Sequence, residues 1–299
     1  MKFSVAVLLL VAAFAYGKDL PVGNTAYGYL EKYGIPLAEK IQKAEEESLL
    51  SGPSRIIGGI PAGLGQHPWQ AGLISDIVGL AGRGVCGGSL LSSSRVLTAA
   101  HCWFDGTHQA WRVEVVLGSV QLFTGGNRQQ TSSVVMHPNW NPTLTRNDVA
   151  MIYLPINVAF SNIISPIALP SGSELNEDFA GSVATASGFG LTSQGKQASG
   201  SIGTNQFLSH VSLNVITNSV CRLAFPLYFH ETNICTSGVG GVGTCQGDSG
   251  GPLFVSRNNR PILVGVTSFG SGLGCESFMP AVYARVTSFL DFIDQHLSD

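Results

Sequence analysis

The chain is poor in charge: only 12% of its 299 residues are Asp, Glu, Lys or Arg, and the formal net charge is −3. No run of Lys or Arg occurs, which excludes binding by phosphate neutralisation, so nucleic acid is not expected as a partner. Beyond the first seventeen residues no apolar run reaches the roughly 20 residues needed to cross a bilayer, and no membrane association is expected. No cysteine precedes Cys86, and none of the six (Cys86, Cys102, Cys221, Cys235, Cys245, Cys275) stands in CxxC spacing. The histidines are scattered, so a zinc cluster is not expected. There is no Asn-x-Ser/Thr sequon, and residues 56–299 hold a single lysine, Lys196, against nine arginines.

What is present points to a secreted globular protein. A hydrophobic fraction of 44% in a chain of this length fills one large domain or two of ordinary size. The opening MKFSVAVLLLVAAFAYG runs from a lysine through a short apolar core to small residues at Ala15 and Gly17, the pattern of a signal peptide over 1–17. Secretion makes disulfides possible, and six cysteines leave 15 pairings open. Residues 18–55 differ in character from the remainder of the chain. They carry Lys32, Lys40, Lys43 and the acidic run Glu45, Glu46 and Glu47, and Leu37, Ile41 and Ala44 recur at the spacing of a short amphipathic helix. Gly52 and Pro53 end that helix, Arg55 is a basic cleavage signal, and the segment reads as an activation pro-peptide.

From Ile56 to residue 299 the chain turns to short β-prone runs (RVLTAA, WRVEVVLG, DVAMIYL, PILVGVTSFG) separated by Gly, Pro and Asn, which predicts an all-β domain. One helix is expected at the end, with Ser288 and Asp291 as a capping box and Phe289, Leu290, Ile293 and Leu297 on its apolar face.

The stretch GTCQGDSGGP, Gly243 to Pro252, is poor material for helix or strand, and it holds Ser249. Serine is a weak nucleophile at neutral pH and needs a base, and the base needs a group that fixes its tautomer. His101 in LTAAHC and Asp148 in RNDVAMIYL supply the matching residue types; Asp148 opens a run too apolar to hold a charge without a partner. In that order, TAAHC, NDVAMI and GDSGGP resemble the chymotrypsin-like serine endopeptidases of the trypsin superfamily, over essentially all of 56–299, and the lysine-poor, arginine-rich composition of that stretch resembles most of all the midgut digestive chymotrypsins of caterpillars.

The resemblance implies two six-stranded antiparallel β-barrels with a C-terminal helix. It assigns His101 as general base and then acid, Asp148 as its orienting partner and Ser249 as nucleophile, with the N–H groups of Gly247 and Ser249 as the oxyanion hole. It pairs Cys86 with Cys102, Cys221 with Cys235 and Cys245 with Cys275. It also implies a zymogen: cleavage after Arg55 frees the α-ammonium of Ile56 to pair with Asp248, and before that cut the loop around Asp248 should relax elsewhere.

The same resemblance puts Gly243 at the floor of the specificity pocket, Gly270 and Ala281 in its walls, Ser268 behind Asp148, and Ser268 and Gly270 along the substrate backbone. A neutral slot implies cleavage after large apolar residues, with Ala281 narrowing it and Glu276 facing solvent. The segment matching the family's calcium loop, Leu117 to Met136, contains no Asp or Glu, so no metal and no cofactor are expected. The expected partners are protein and peptide substrates, an activating trypsin-like protease and protein protease inhibitors, and the expected state is a monomer. The scarcity of lysine, which loses its charge near pH 10.4 while arginine keeps it, suits an alkaline gut lumen. The rival readings are a non-catalytic binding homologue, an elastase-like specificity and a cascade protease. The first usually lacks a triad residue, and the last usually carries cysteine-bearing modules and an arginine-selective pocket.

Overall fold

The computed structural model describes residues 24–51, 60–190, 208–275 and 277–297. The signal peptide, Arg55, Ile56 and Glu276 therefore lie outside the described residues. One turn of π-helix, Leu30–Gly34, runs directly into helix α1, Ile35–Ser51. The apolar spacing read from the sequence is the buried face of α1: Leu37, Ala38, Ile41 and Ala44 are all at most 4% exposed.

The rest is β-structure in two halves. Strand β1 (Ile60–Pro61) is an outrigger. The first half comprises β2 (Gln70–Ile77), β3 (Arg83–Ser92), β4 (Arg95–Thr98), β5 (Ala110–Leu117), β6 (Asn127–Thr131), β7 (Val134–Met136) and β8 (Ala150–Tyr153). Its hydrogen-bonded order is β6-β5-β2-β3-β4-β8-β7, all antiparallel, and among the described residues no pairing joins β6 to β7, so it is a half-barrel.

The second half comprises β9 (Val183–Gly188), β10 (Ser209–Ile216), β11 (Asn233–Thr236), β12 (Pro252–Arg257), β13 (Arg260–Phe269) and β14 (Ala281–Arg285). The pairing runs β9-β10-β11-β14-β13-β12 and returns to β9, a closed six-stranded barrel to which β1 adds on the outside of β10. Period-2 patterning drives this closure: in β10, Leu213 and Val215 point into the barrel while Ser212 and Asn214 face solvent. The first half packs Leu73, Leu90, Val96, Leu97, Val115 and Met151 into the larger of the hydrophobic clusters.

A short helix α2 (Asn218–Ala224) is capped by Thr217, whose side chain accepts from Val220 N. At the C-terminus a 3₁₀ turn, Val286–Phe289, leads into α3, Leu290–Leu297. Ser288 lies inside that turn, which corrects the expected capping box with Asp291: the backbone is already helical upstream, so there is no N-cap for Ser288 to make. Helix α3 buries Phe292 and Ile293, and Arg95 fixes it by donating from Nε to the His296 carbonyl at 2.7 Å. No helix of the described residues is long and apolar enough to cross a membrane.

Candidate active site

Each half brings part of one cleft. Strand β4 delivers the chain into a 3₁₀ turn, Ala100–Cys102, whose middle residue is His101, and the Cys86–Cys102 disulfide ties that turn to β3. On the other side, Asn147 takes a left-handed φ of 59°, which asparagine tolerates, and this turns Asp148 inward just before β8. Asp148 is 2% exposed and well satisfied. Oδ2 accepts from the His101 ring at Nδ1 (2.8 Å) and from the Ser268 hydroxyl (2.6 Å), and Oδ1 accepts from His101 N (2.9 Å). A carboxylate at Nδ1 assigns the proton to that nitrogen and leaves the Nε2 lone pair as the basic site.

The second half supplies Ser249 from the loop between Cys245 and β12. Gly247 (φ +94°) and Gly250 (φ +78°) flank the tight turn, and both lie where side chains are strained. A Cβ on Gly250 would also collide with the Thr98 hydroxyl and the Gly87 carbonyl. The turn is fastened by Gly87 N to Ser249 O (2.7 Å), Gly250 N to Thr267 O (2.8 Å) and Asp248 N to Cys245 O (3.1 Å).

Asp248 is half-buried, and its two oxygens accept from Cys245 N and Gly190 N at 2.9 Å each. Burial raises its pKa to about 6, and among the described residues no cation faces it. The sequence predicts this loop to be relaxed before cleavage. Here two backbone amides hold the carboxylate and keep the loop in place beside Ser249.

Gly243, Ser268, Gly270 and Ala281 all line one open cleft of about 530 Å³ beside Ser249, flanked by the Cys245–Cys275 disulfide. No charged side chain lines it among the described residues. A Cβ built on Gly243 or on Gly270 meets nothing within 4 Å, so the pocket is open at both positions. The third disulfide, Cys221–Cys235, ties α2 to β11. The only group of metal-ligand atoms brought together among the described residues is that of Cys86, His101 and Cys102, and the two sulfurs are bonded to each other, leaving no thiolate to bind an ion.

Sequence reasoning missed a further set of residues in the cleft. The Tyr29 phenol accepts from Gly247 N (3.1 Å), donates to Val85 O (2.9 Å) and hydrogen-bonds with Ser249. Its ring meets the His101 ring edge-on at 5.0 Å, and burial pushes its pKa well above the usual tyrosine value. Ser249 and His101 share no direct hydrogen bond in this arrangement. Thr25 accepts from Gly270 N at 3.0 Å, and Asn24 bridges Ser271 in antiparallel fashion. The one signal available was three tyrosines, Tyr27, Tyr29 and Tyr33, within an otherwise polar stretch.

Comparison with known proteins agrees with this geometry. The family model described as Trypsin matches residues 56–293. A protein named collagenase from Hypoderma lineatum is 40% identical over 245 residues, covering 81% of this chain and 87% of that protein. Brachyurin from Leptuca pugilator is 37% identical over 241 residues, 80% of this chain and 96% of that one. Among solved structures, that of HL collagenase superposes with a TM-score of 0.72 at 38% identity, covering 82% of this chain and 99% of the other.

Proposed function

The chain belongs to the trypsin family of serine endopeptidases, and on that premise we propose that it is a secreted digestive enzyme with chymotrypsin-like specificity, made as a zymogen. On this reading residues 1–17 are a signal peptide, 18–55 the pro-segment and 56–299 the protease, with activation by a trypsin-like cut after Arg55 and pairing of the Ile56 ammonium with Asp248. The enzyme works as a monomer on dietary protein in an alkaline gut lumen, where a surface with one lysine and nine arginines keeps its positive charge.

The proposed roles are these. Nε2 of His101 takes the Ser249 proton as Oγ attacks the scissile carbonyl, and Asp148, with its three hydrogen bonds, stabilises the imidazolium that results. The N–H groups of Gly247 and Ser249 bind the developing oxyanion, each donor being worth roughly 3 to 4 kcal/mol in comparable enzymes. His101 then protonates the leaving amine, and water releases the acyl group by the same steps in reverse.

Specificity rests on one observation: the cleft beside Ser249 is open at glycines 243 and 270, and has Ala281 and no charge among its described lining residues. Such a slot takes large apolar side chains and offers nothing to Arg or Lys. The name collagenase carried by a relative makes collagen a protein substrate worth including in the assay.

The test is hydrolysis of peptide p-nitroanilides ending in Phe, Leu, Ala or Arg, before and after trypsin treatment, with trypsin then blocked. Turnover after Phe or Leu only upon activation is the expected result. Turnover mainly after Arg would overturn the neutral pocket and bring Glu276 forward. No turnover with the Arg55 bond cut would favour a binding homologue.

A further inference from the structure

Residues 24–51 lie wholly before the proposed activation cut, yet they occupy the cleft the mature enzyme needs. Asn24 pairs with Ser271 and Thr25 takes the Gly270 N–H, a backbone donor expected to serve substrate. Tyr29 places its phenol oxygen on the Gly247 N–H. Asp105, fully buried beside His101, then holds the chain as it leaves: its carbonyl accepts from Gly28 N (3.1 Å) and its Oδ2 from Leu30 N (2.8 Å).

Helix α1 anchors the segment outside the cleft. Leu37, Ala38 and Ile41 pack with Ile74, Val85, Val116, Leu122 and Phe189 of the protease body. Glu45, 1% exposed, accepts from Leu122 N (2.5 Å) and Phe123 N (2.9 Å), so a carboxylate of the pro-segment enters the very loop that has none of its own.

Two features set this apart from a bound substrate and from a simple leader. The oxygen on the Gly247 N–H belongs to a phenol, so no carbonyl carbon is offered to Ser249 and no bond can be cut there. None of these contacts involves residues 52–59 or a disulfide, so a cut after Arg55 removes none of them.

We propose that residues 24–51 are a built-in inhibitor that stays on the cleft non-covalently after the Arg55 bond is cut, and that binds the mature enzyme in trans. Full activity then requires a second event, in which the segment leaves or is degraded. Its exposed Lys32, Lys40 and Lys43 make it open to a Lys/Arg-directed activator. The inference rests on the endopeptidase reading for its assay, while binding itself does not depend on it.

The experiment activates the full chain with trypsin, removes trypsin and the freed pro-segment by chromatography, and adds back a synthetic peptide of residues 24–51. The expected result is competitive inhibition, a rise in KM for the Phe p-nitroanilide at constant kcat. A Tyr29→Phe peptide should bind at least about tenfold more weakly, because Gly247 N loses its acceptor and Val85 O its donor. A Glu45→Ala peptide, altered far from the reacting atoms, should weaken binding by at least as much, because two buried amides lose their acceptor.

No change in KM up to about 100 μM peptide with an active enzyme would overturn the inference, since a segment that weak could not hold the cleft except by its covalent tether. If the cut protein hydrolyses no substrate, the endopeptidase reading has failed. Fluorescence polarisation of a labelled 24–51 peptide then still decides: saturable binding weakened by Tyr29→Phe supports the inference, and no binding overturns it.

Discussion

The half-barrel and the closed barrel contribute to the active site in different ways. The half-barrel brings side chains: His101 and Asp148 are both almost wholly buried, and the carboxylate is held by three hydrogen bonds. The closed barrel brings mainly backbone: left-handed Gly247 and Gly250 around Ser249, and Gly243 and Gly270 of the open pocket. Disulfides follow the same division, one bracing the histidine and two bracing the barrel that must hold an unusual loop. Charge can be held by a few good hydrogen bonds on an open sheet, whereas a strained turn needs a closed, cross-linked frame around it. Ser268, on β13, is where the two meet, because it reaches from the closed barrel to Asp148.

Substitutions separate these contributions. Ser249→Ala in the activated enzyme removes the nucleophile itself, and kcat should fall by about 10⁵- to 10⁶-fold, as for the corresponding change in other serine proteases. Asp148→Asn should cost about 10⁴, the loss known for the equivalent change within this family, because the wrong tautomer of His101 is then favoured. Both should leave the thermal midpoint within a few degrees of the parent, and a large drop would show that these side chains also hold the half-barrel together.

Gly250→Ala tests the backbone contribution. Its Cβ meets the Thr98 hydroxyl and the Gly87 carbonyl at a positive φ, so activity and thermal midpoint should fall together. A stable but inactive Gly250→Ala enzyme would erase the distinction between the two halves. Gly243→Asp is gentler, since a side chain there meets open space. It should keep the fold while moving preference from Phe towards Arg in the p-nitroanilide assay.

How much of this was legible in the sequence depended on whether the signal was local. TAAHC, NDVAMI and GDSGGP pointed to His101, Asp148 and Ser249, each of which lies in a short fixed turn, and short runs rich in Val, Ile, Leu and Thr located β4, β5, β8 and β13. Strand β6, NRQQT, was not visible: it is polar, pairs only with β5 among the described residues and half-faces solvent, so no apolar alternation marks it. The helix over Leu37, Ile41 and Ala44 was legible, but what it packs against was not. A 3.6-residue stripe reports that a face is buried without naming its partner, and the landing of Tyr29 on Gly247 is a contact across 218 residues.

The smallest effect concerns two groups, His67 and Asp248, that titrate in opposition. His67 packs between the halves, against Trp69 of the half-barrel and against His210 and Phe254 of the closed barrel. Burial, helped by His210, lowers its pKa to about 4. The unfolded chain therefore takes up its proton first, and stability is lost as pH falls from about 6.5 to about 4, by up to about 3 kcal/mol. Asp248, with its pKa raised to about 6, has the opposite sign: the folded chain holds the proton more tightly, and stability is lost as pH rises from about 4 to about 6, by a similar amount. In the uncleaved chain these two contributions should largely cancel between pH 4 and 6. Urea unfolding with disulfides intact should show Asp248→Asn losing stability on acidification more steeply than the parent, and His67→Phe losing less or gaining. Comparing each variant with the parent removes the groups common to both. If the Asp248→Asn curve instead runs parallel to that of the parent, the carboxylate has the same pKa in the folded and unfolded chain, which is the behaviour of a group left in water. Activation by the Ile56 ammonium would then have no buried charge left to neutralise.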